Sequence, residues 1–518
     1  MIGQAAYFSL PGIPHDSENC DGFVTLRTCR EIARKRHWRL FFMHTYLNSL
    51  SRVAAGSLAA LSICSSALAG APTDTPPPAD PPANGVAKWW NGKYASGDWF
   101  GVRNTLEDHG LKLNGMWKGF FYGIADGGLQ QRGAFDEEIK FTGELDFAKL
   151  TGLSQLQGLT ANAKVRWRDG RNPNTYVGAT NQFGPSDIQS GQQWRFDYVY
   201  LTYTTPELFG QKNFLTLSGG WQNPYDFFLD VPLENLFVNN TFAGARGLGN
   251  IPWSSSYGAW GGYFKVKPTD WFYAMNGFYM AVPQATALSN HGLYFEGYEP
   301  DPTQNGLFYI GELGFTPKWG PSLLPGKYAF GGYYFGNWNT SFNGERYPGR
   351  YGFYWQADQM LFREPQAELP EPPPGKDKDA KAVADSKSTL PTRDALQGQT
   401  DQGLYFFSML SYAPSYNNAV PFYFTTGLVY KGLIPTRDAD QLMFAFAYGQ
   451  YSIDQIQVDQ EKSLTSQPNY TSVLEWDYRL QVNKWAYLQP FAQYIIQPNG
   501  TSNIENATVL GLAMGVTF

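Results

Sequence analysis

Charged side chains occupy every second position in two segments of this chain. In residues 138–150 the polar set is Glu138, Lys140, Thr142, Glu144 and Asp146, and the apolar set between them is Ile139, Phe141, Gly143, Leu145 and Phe147. In residues 159–171 Lys164, Arg166 and Arg168 alternate with apolar neighbours. Carboxylates and guanidiniums that face one another polarise a constriction, and they exchange hydrogen bonds with hydroxyl groups in place of water.

The two segments and the next one along the chain predict a single cluster of charges. Its expected members are Glu144, Lys164, Arg166, Arg168, Arg195 and Asp197. The same pattern has a second interpretation, in which the charges only keep a water-filled interior wet and rigid through salt bridges. Both interpretations require strands that place one face toward water.

Alternation over ten to fourteen residues recurs along the chain and predicts strands. The predicted strands are 111–125, 138–150, 159–171, 194–206, 213–224, 257–268, 271–283, 306–319, 327–338, 351–363, 404–414, 422–435, 441–452, 472–482, 485–498 and 507–518. An even number lets the first strand pair with the last, which removes the open sheet edges that lipid cannot satisfy. The prediction is an all-β fold, a transmembrane antiparallel β-barrel of about sixteen strands over residues 111–518.

The last predicted strand has one strongly apolar face. Leu510, Leu512, Met514, Val516 and Phe518 alternate with small or mixed residues. A strand that separates lipid from a water-tolerant interior has this pattern. The terminal Phe518 resembles the signal that outer-membrane assembly machinery reads, which makes that machinery an expected partner.

Composition agrees with a barrel. Aromatic residues make up 17% of the chain beside 55 glycines, yet the mean hydropathy is −0.37. A helical membrane protein would be more apolar, whereas alternating strands average to a low hydropathy and collect aromatic residues at the membrane interfaces. A secreted β-sandwich or propeller rich in aromatic residues is the alternative.

The N-terminal region predicts export. An apolar run from Val53 to Ala67 ends on the small-x-small pattern of Ala67 and Ala69, so residues 1–69 are interpreted as an extension followed by a cleaved signal peptide. Its removal takes the net charge from −6 to −9, which argues against nucleic acid as a partner, and removes all three cysteines. Residues 70–110 are expected to form a Pro-rich linker and a short helix on the periplasmic side, capped by Asp98 and ended by Gly110.

Connection lengths predict the orientation of the barrel. The turns at 269–270 and 483–484 are short, whereas residues 172–193, 225–256 and 453–471 form long connections. Short turns would face the periplasm and long loops the outside. Residues 364–403 break this rule, because they are long, charged and nearly free of aromatic residues on the periplasmic side, and we interpret them as a disordered insert.

Three stretches of sequence resemble one known family. They are Gly97-Asp-Trp-Phe-Gly-Val-Arg103, the segment from Gly427 to Asp440, and the segment from Leu488 to Gly500. Together they are similar to the carbohydrate-selective porins, the OprB-like family, from about Trp89 to Phe518. The resemblance implies a sixteen-stranded outer-membrane barrel that passes glucose and other small sugars to the periplasm by facilitated diffusion. Phe100 departs from the family, which usually has glycine there, and so does the 364–403 insert.

Sugars also stack their C–H faces on aromatic rings. Trp194, after the 172–193 loop, and Trp253, in the 225–256 loop, are therefore further candidates for the sugar site. The 225–256 loop is long enough to fold into the lumen.

Other functions remain possible within the barrel class. Inward Lys164, Arg166 and Arg168 would also suit a general or anion-preferring porin, and a plugged barrel would have a structural role. An enzyme is not expected, since His109 and His291 are far apart and no catalytic motif is present. No cofactor or metal is expected either. The remaining expected partners are outer-membrane lipid and lipopolysaccharide, and the sequence leaves open whether barrels associate as a homo-oligomer.

Overall fold

A computed structural model describes residues 85–188, 193–242, 258–281, 290–294, 306–365, 402–461 and 467–518. All of them belong to one compact unit, Pro82–Phe518. No helix within these ranges is long and apolar enough to cross a bilayer. The predicted signal peptide, most of the linker, Trp253 and most of the 364–403 insert lie outside the described residues.

Sixteen long strands make up the main sheet of the described residues. They are β1 (Leu111–Asp126), β2 (Gly133–Asp146), β3 (Leu159–Gly170), β4 (Gln193–Thr204), β5 (Leu215–Gln222), β6 (Ala259–Thr269), β7 (Phe272–Ala281), β8 (Gly306–Phe315), β9 (Leu324–Gly336), β10 (Arg350–Arg363), β11 (Gly403–Tyr412), β12 (Phe422–Lys431), β13 (Gln441–Gln450), β14 (Tyr470–Asn483), β15 (Ala486–Ile496) and β16 (Ala507–Thr517). Each strand pairs antiparallel with the next, and β16 pairs with β1. The closed sixteen-stranded barrel predicted from the sequence is confirmed.

Two-residue strands extend some connections. Lys318–Trp319 pairs with the start of β9, Glu207–Leu208 with Gln211–Lys212, and Asn339–Thr340 with Arg346–Tyr347. The described helical segments are short: Gly85–Trp90, Trp99–Gly101, Val102–Asp108, Phe147–Thr151, Ser154–Leu156, Asn174–Val177, Asn181–Phe183, Pro224–Asp226, Glu234–Leu236, Asn240–Phe242 and Ile453–Glu461.

The outward faces of the strands carry apolar side chains and the inward faces carry charged and polar ones, the reverse of a water-soluble protein. Apolar side chains such as Phe141 (55% exposed) and Leu201 (51% exposed) point outward, while Glu138, Asp197 and Glu475 are almost fully buried. The alternation read from the sequence therefore assigns the faces of these strands correctly. A lipid-facing exterior and a polar interior follow from the two-residue period of a strand.

The C-terminus closes the barrel through main-chain and side-chain contacts. The amide of Phe518 donates to the carbonyl of Gly115 at 2.8 Å, and the amide of Gly115 donates back at 2.7 Å. The Phe518 ring lies edge-on to Phe141 at 5.7 Å between ring centroids. A β-carbon at Gly115 would lie 2.3 Å from this ring, so a larger residue there would displace the Phe518 side chain.

The N-terminal segment forms the expected short helix, Val102–Asp108, with Gly110 in the left-handed region at φ +92° after it. The predicted side-chain cap by Asp98 is wrong, because Asp98 forms no capping bond and only its carbonyl accepts, from the Arg103 amide at 3.1 Å. Phe100 adopts φ +59°, a conformation that glycine tolerates far better than phenylalanine. This strain falls at the position where the resemblance described above leads us to expect glycine.

Connections at the two barrel ends differ in length. Two-residue turns follow β6 and β14 at one end, here called the short-turn end, where the N-terminal segment also enters the barrel. Long connections follow β3 and β5 at the other end. Strands β10 and β11 flank the 364–403 region at the short-turn end, where the Glu364 amide donates to the Gln402 carbonyl at 3.0 Å. The alternation of connections agrees with the predicted strand order.

Candidate functional site

A charged cluster lines the inner face of β2, β3 and β4. Its cations are Lys140, Lys164, Arg166, Arg168 and Arg195, and its carboxylates are Glu138, Asp197 and the loop residue Asp226. Antiparallel register produces it, since Glu138 lies opposite Arg168 and Lys140 opposite Arg166, while Arg166 lies opposite Arg195 on the next strand.

Arg166 lies at the centre of the charged cluster. Its Nε donates to Asp197 Oδ2 at 2.8 Å and to Asp197 Oδ1 at 3.0 Å, and its other side reaches Glu138 Oε2 at 3.0 Å. Lys164 binds the same Asp197 at 3.4 Å and also approaches Asp226 Oδ2 at 3.7 Å. The planar guanidinium thus fixes two carboxylates from different strands, which gives the wall a defined geometry.

The more accessible members of the cluster lie at its margin. The side chains of Arg166 and Asp197 are 9% and 2% exposed, whereas those of Lys140, Lys164 and Asp226 are 18%, 14% and 35% exposed. Arg168 bridges the wall to a loop, because its Nε donates to Glu138 Oε2 and its Nη1 to the Ile188 carbonyl, both at 2.6 Å. The inner pairs hold the wall, and the marginal groups face the lumen.

Glu144 does not join this cluster. It forms an exposed ion pair with Lys112 of β1 at 2.9 Å, and its register partner on β3 is Asn162 rather than an arginine. Glu138 takes the place that the sequence assigned to Glu144. The two glutamates share one face of β2 but lie six residues apart, about 20 Å along the strand, and only the register decides which one meets the arginines.

One of the two tryptophan candidates, Trp194, also lies away from the cluster. Trp194 is 46% exposed on the outer face of β4, opposite in direction to Arg195 and Asp197, and its ring stacks on His291 with 4.1 Å between centroids. As a neighbour of inward Arg195 it must point outward, so its assignment to a sugar site is wrong. Trp253 lies outside the described residues and stays a prediction.

A row of partly exposed aromatic rings borders the cluster toward the short-turn end. Tyr198 and Tyr200 lie 5.0 Å apart, Phe227 approaches Tyr200 at 5.5 Å, and Tyr263 approaches Phe227 at 4.6 Å between ring centroids. The Lys164 ammonium lies 4.6 Å from the Tyr198 centroid and joins this aromatic row to the charges. Sequence reasoning missed the row because the register with β3 shifts at Asp197. This irregularity turns Tyr198 and Tyr200 to the face of Arg195, whereas simple alternation from Arg195 would place both tyrosines outward.

Residues 223–242, here the inner loop, fold into the barrel from the end of β5. Phe228, Val231, Leu236, Val238 and Phe242 are buried within it. The loop packs on aromatic side chains of the opposite wall, with Phe237 and Phe407 ring centroids 5.6 Å apart. The sequence indicates only that this loop is long enough to enter the lumen, and its described part packs against inward side chains of the barrel wall.

Polar side chains of the far wall hold the inner loop by its main chain. Glu475 of β14 accepts from the amides of Val238 at 2.6 Å and Asn239 at 2.9 Å. Gln489 of β15 donates to the Leu236 carbonyl at 3.0 Å. One buried carboxyl group that accepts from two successive backbone amides fixes the course of the main chain, so Glu475 is a principal anchor of the loop.

Further anchors fix the remaining length of the inner loop. Thr425 donates to Glu234 Oε1 at 2.6 Å, Gln493 accepts from the Asn239 side chain at 3.1 Å, and Lys327 donates to the Asp230 carbonyl at 2.6 Å. A second loop, residues 171–188, joins it, since the Asp187 amide donates to the Val238 carbonyl at 3.2 Å. The two loops also reach the charged cluster, the first through Asp226 and the second through the Ile188 carbonyl.

The arrangement is suited to a polar, uncharged solute. Marginal cations and Asp226 exchange hydrogen bonds with hydroxyl groups, and the adjacent rings offer an apolar face. No group of acidic, histidine or cysteine side chains in the described ranges is arranged to hold a metal ion.

Comparisons with known proteins agree with this geometry. Residues 130–518 match the family model described as "Carbohydrate-selective porin, OprB family". Porin B of Pseudomonas aeruginosa is 25% identical over 466 residues, which cover 83% of this chain and 92% of that protein.

Solved structures share the fold. The high-pH structure of Pseudomonas putida OprB has a TM-score of 0.68 at 20% identity, covering 83% of this chain and all of that one. The low-pH structure of the same protein has a TM-score of 0.50 at 18% identity, with 83% and 99% coverage. With its closed barrel and a family match over three quarters of its length, this chain belongs to the OprB family of carbohydrate-selective porins and is a protein of the outer membrane.

Proposed function

We propose that glucose and other small carbohydrates diffuse through this barrel along the charged cluster and its aromatic row. The observation that carries the proposal is their adjacency on one wall, with Lys164 in contact with both Asp197 and the Tyr198 ring. A sugar presents hydroxyl groups at its edge and C–H groups on its faces, so it can use both surfaces at once.

Rapid passage requires binding that is weak as well as selective. The cluster residues are already paired with one another, so a sugar exchanges existing hydrogen bonds instead of satisfying bare charges. Sites that bind strongly enough to admit a solute and weakly enough to release it support conduction. The internally paired wall therefore supports facilitated diffusion.

A general or anion-preferring porin is the second candidate. Five cations of the cluster face three carboxylates, and this excess of positive charge would attract anions. A plugged structural barrel is the third, favoured by the buried side chains of the inner loop.

Liposome swelling tests the three candidates. The purified protein is reconstituted and the entry of glucose is compared with that of a zwitterionic amino acid of similar mass. Faster entry of glucose supports the proposal, and equal entry supports a general porin. No swelling with either solute, in vesicles shown to contain folded protein, would support a plugged barrel.

A channel without catalytic activity is the corresponding proposal for the chemistry. The family is one of porins. The contacts of the two described histidines are not those of a general base beside a serine or a carboxylate. His291 stacks on Trp194 on the outer face, and His109 Nδ1 lies 2.7 Å from the Thr105 carbonyl.

The remaining proposals concern the chain ends, orientation and partners. Residues 1–69 are removed on export, outer-membrane lipid and lipopolysaccharide surround the apolar wall, and assembly machinery recognises Phe518. The short-turn end is proposed to face the periplasm.

A peptide tag inserted at Lys376 should then be inaccessible on intact cells and accessible after permeabilisation, and labelling of intact cells would refute this orientation. Whether the barrels form a homo-oligomer is tested by cross-linking in the membrane.

A further inference from the structure

Three tryptophans form a cluster at the rim of the barrel at its short-turn end. Trp89 and Trp90 belong to the helix Gly85–Trp90, and Trp485 lies in the turn between β14 and β15. Ring centroids are 5.1 Å apart for Trp89 and Trp485 and 5.9 Å apart for Trp90 and Trp485. Trp89 and Trp90 nevertheless remain 42% and 44% exposed, so the cluster leaves large aromatic surfaces uncovered.

Main-chain bonds place this segment in line with the barrel wall. The Thr517 amide donates to the Trp485 carbonyl, and the Ala95 amide donates to the Thr517 carbonyl, both at 2.8 Å. Ala95 therefore bonds to the end of β16 on the same edge that pairs with β15. The Trp89 indole nitrogen donates to the Ala95 carbonyl at 2.8 Å and ties the helix to this edge.

The surroundings of the cluster combine apolar surface with positive charge. Lys88 and Lys484, each next to a tryptophan of the cluster in the sequence, and Lys93, three residues after Trp90, are exposed, and Val86 is 69% exposed on the helix. Tryptophan concentrates at the boundary between hydrocarbon and water, and lysine pairs there with lipid phosphates. Exposed tryptophans flanked by lysines would be unfavourable on a surface that faces only water, whereas a phospholipid headgroup layer accommodates both kinds of side chain.

We propose that the helix Gly85–Trp90 and Trp485 form an interfacial anchor that lies in the phospholipid headgroup layer of the leaflet at the short-turn end. The occupant of the exposed tryptophan surface is phospholipid, and the lysines contact its phosphates. The anchor holds the start of the barrel unit against the membrane at the rim.

Site-directed fluorescence can test the anchor because cysteine occurs only at positions 20, 29 and 64. In a full-length chain with these three changed to serine, Val86→Cys is labelled with an environment-sensitive fluorophore. The protein is reconstituted in vesicles of phosphatidylethanolamine and phosphatidylglycerol that carry a spin label at the headgroup or at the end of the acyl chain.

The anchor predicts strong quenching by the headgroup label and weaker quenching by the acyl-chain label. Trp89→Ala with Trp90→Ala, in the same labelled background, should reduce headgroup quenching at least twofold while the barrel keeps its heat-dependent shift in gel mobility. Equal, weak quenching by both labels would show the segment in water and overturn the proposal. Quenching unchanged by the two substitutions would overturn the role of the tryptophans.

Discussion

Two walls of this barrel carry the same alternating charges and use them differently. On β2–β4, Glu138 and Asp197 bind cationic side chains of neighbouring strands. On β14, Glu475 binds the main chain of the inner loop. The first wall keeps partly exposed charges toward the lumen, whereas the second has its carboxylate fully buried beneath the loop.

This difference separates two roles within one pore. Side-chain ion pairs leave hydrogen-bonding groups at the lumen surface, where a solute meets them. A carboxylate that accepts backbone amides fixes the shape of a loop and thereby the width of the passage. We infer that the β2–β4 wall governs selectivity and the β14–β15 wall governs the constriction.

Glu475→Ala should have the largest effect, because it removes the acceptor of two amide hydrogen bonds and leaves both buried amides unsatisfied, at a cost of about 3 kcal/mol in total. We expect higher single-channel conductance, loss of current block by glucose and a lower unfolding temperature. Glu144→Ala, which removes an exposed carboxylate on the other wall, is the control and should leave all three unchanged. Wild-type conductance in Glu475→Ala would show that the loop is held by other contacts.

Arg168→Ala tests the selectivity wall. Glu138 keeps Arg166 and Lys140 as partners, so the barrel should still assemble while block by glucose weakens roughly tenfold, the value of one hydrogen bond to a charged group. Titration of the blocked current with glucose measures this change. An unchanged block would remove Arg168 from the sugar path, and a similar loss in Glu144→Gln would refute the distinction between Glu138 and Glu144.

Gln493→Ala separates neutral anchors from the charged one. Its amide accepts from Asn239 and donates to the Pro185 carbonyl at 3.2 Å, so the loss should be about 1 kcal/mol per hydrogen bond. A small rise in conductance, well below that of Glu475→Ala, is expected in the same bilayer recording. An effect as large as that of Glu475→Ala would show that the carboxylate has no special role.

Lys164→Gln should have the smallest effect on block by glucose, because the glutamine amide can still donate a hydrogen bond to a sugar, and its main effect should be on ion selectivity. Removing one partly exposed cation from the first wall lowers its anion preference, which appears as a shift of the reversal potential in a salt gradient toward cations. Lys112→Gln, in the exposed pair with Glu144, is the matched control. Equal shifts in both variants would mean that the potential reflects total charge and not the cluster.

The sequence predicted what depends on the two-residue period and little of what depends on register. Alternation was enough to identify sixteen strands, the outward face of Phe141 and the inward faces of Arg166 and Asp197. It could not choose Glu138 over Glu144, because both lie on the same face and only pairing with β3 distinguishes them.

Loop contacts were also beyond the sequence. Glu475 is one of several inward charges on its strand, and nothing local shows that the amides of Val238 and Asn239 will reach it across the barrel. The long loop before Trp194 suggests a position in the lumen for this residue. Strand alternation indicates the outer face instead, because the neighbouring Arg195 points inward. The aromatic row at Tyr198 and Tyr200 was beyond that alternation, because only the register shift at Asp197 turns these tyrosines to the inner face.

Single-channel current through the purified protein, with and without millimolar glucose, tests the central claim most directly. Passage of sugar along the charged cluster predicts an open channel whose current falls with glucose concentration in the wild type and falls much less in Arg168→Ala. A steady current that glucose does not change would contradict a sugar site inside the pore.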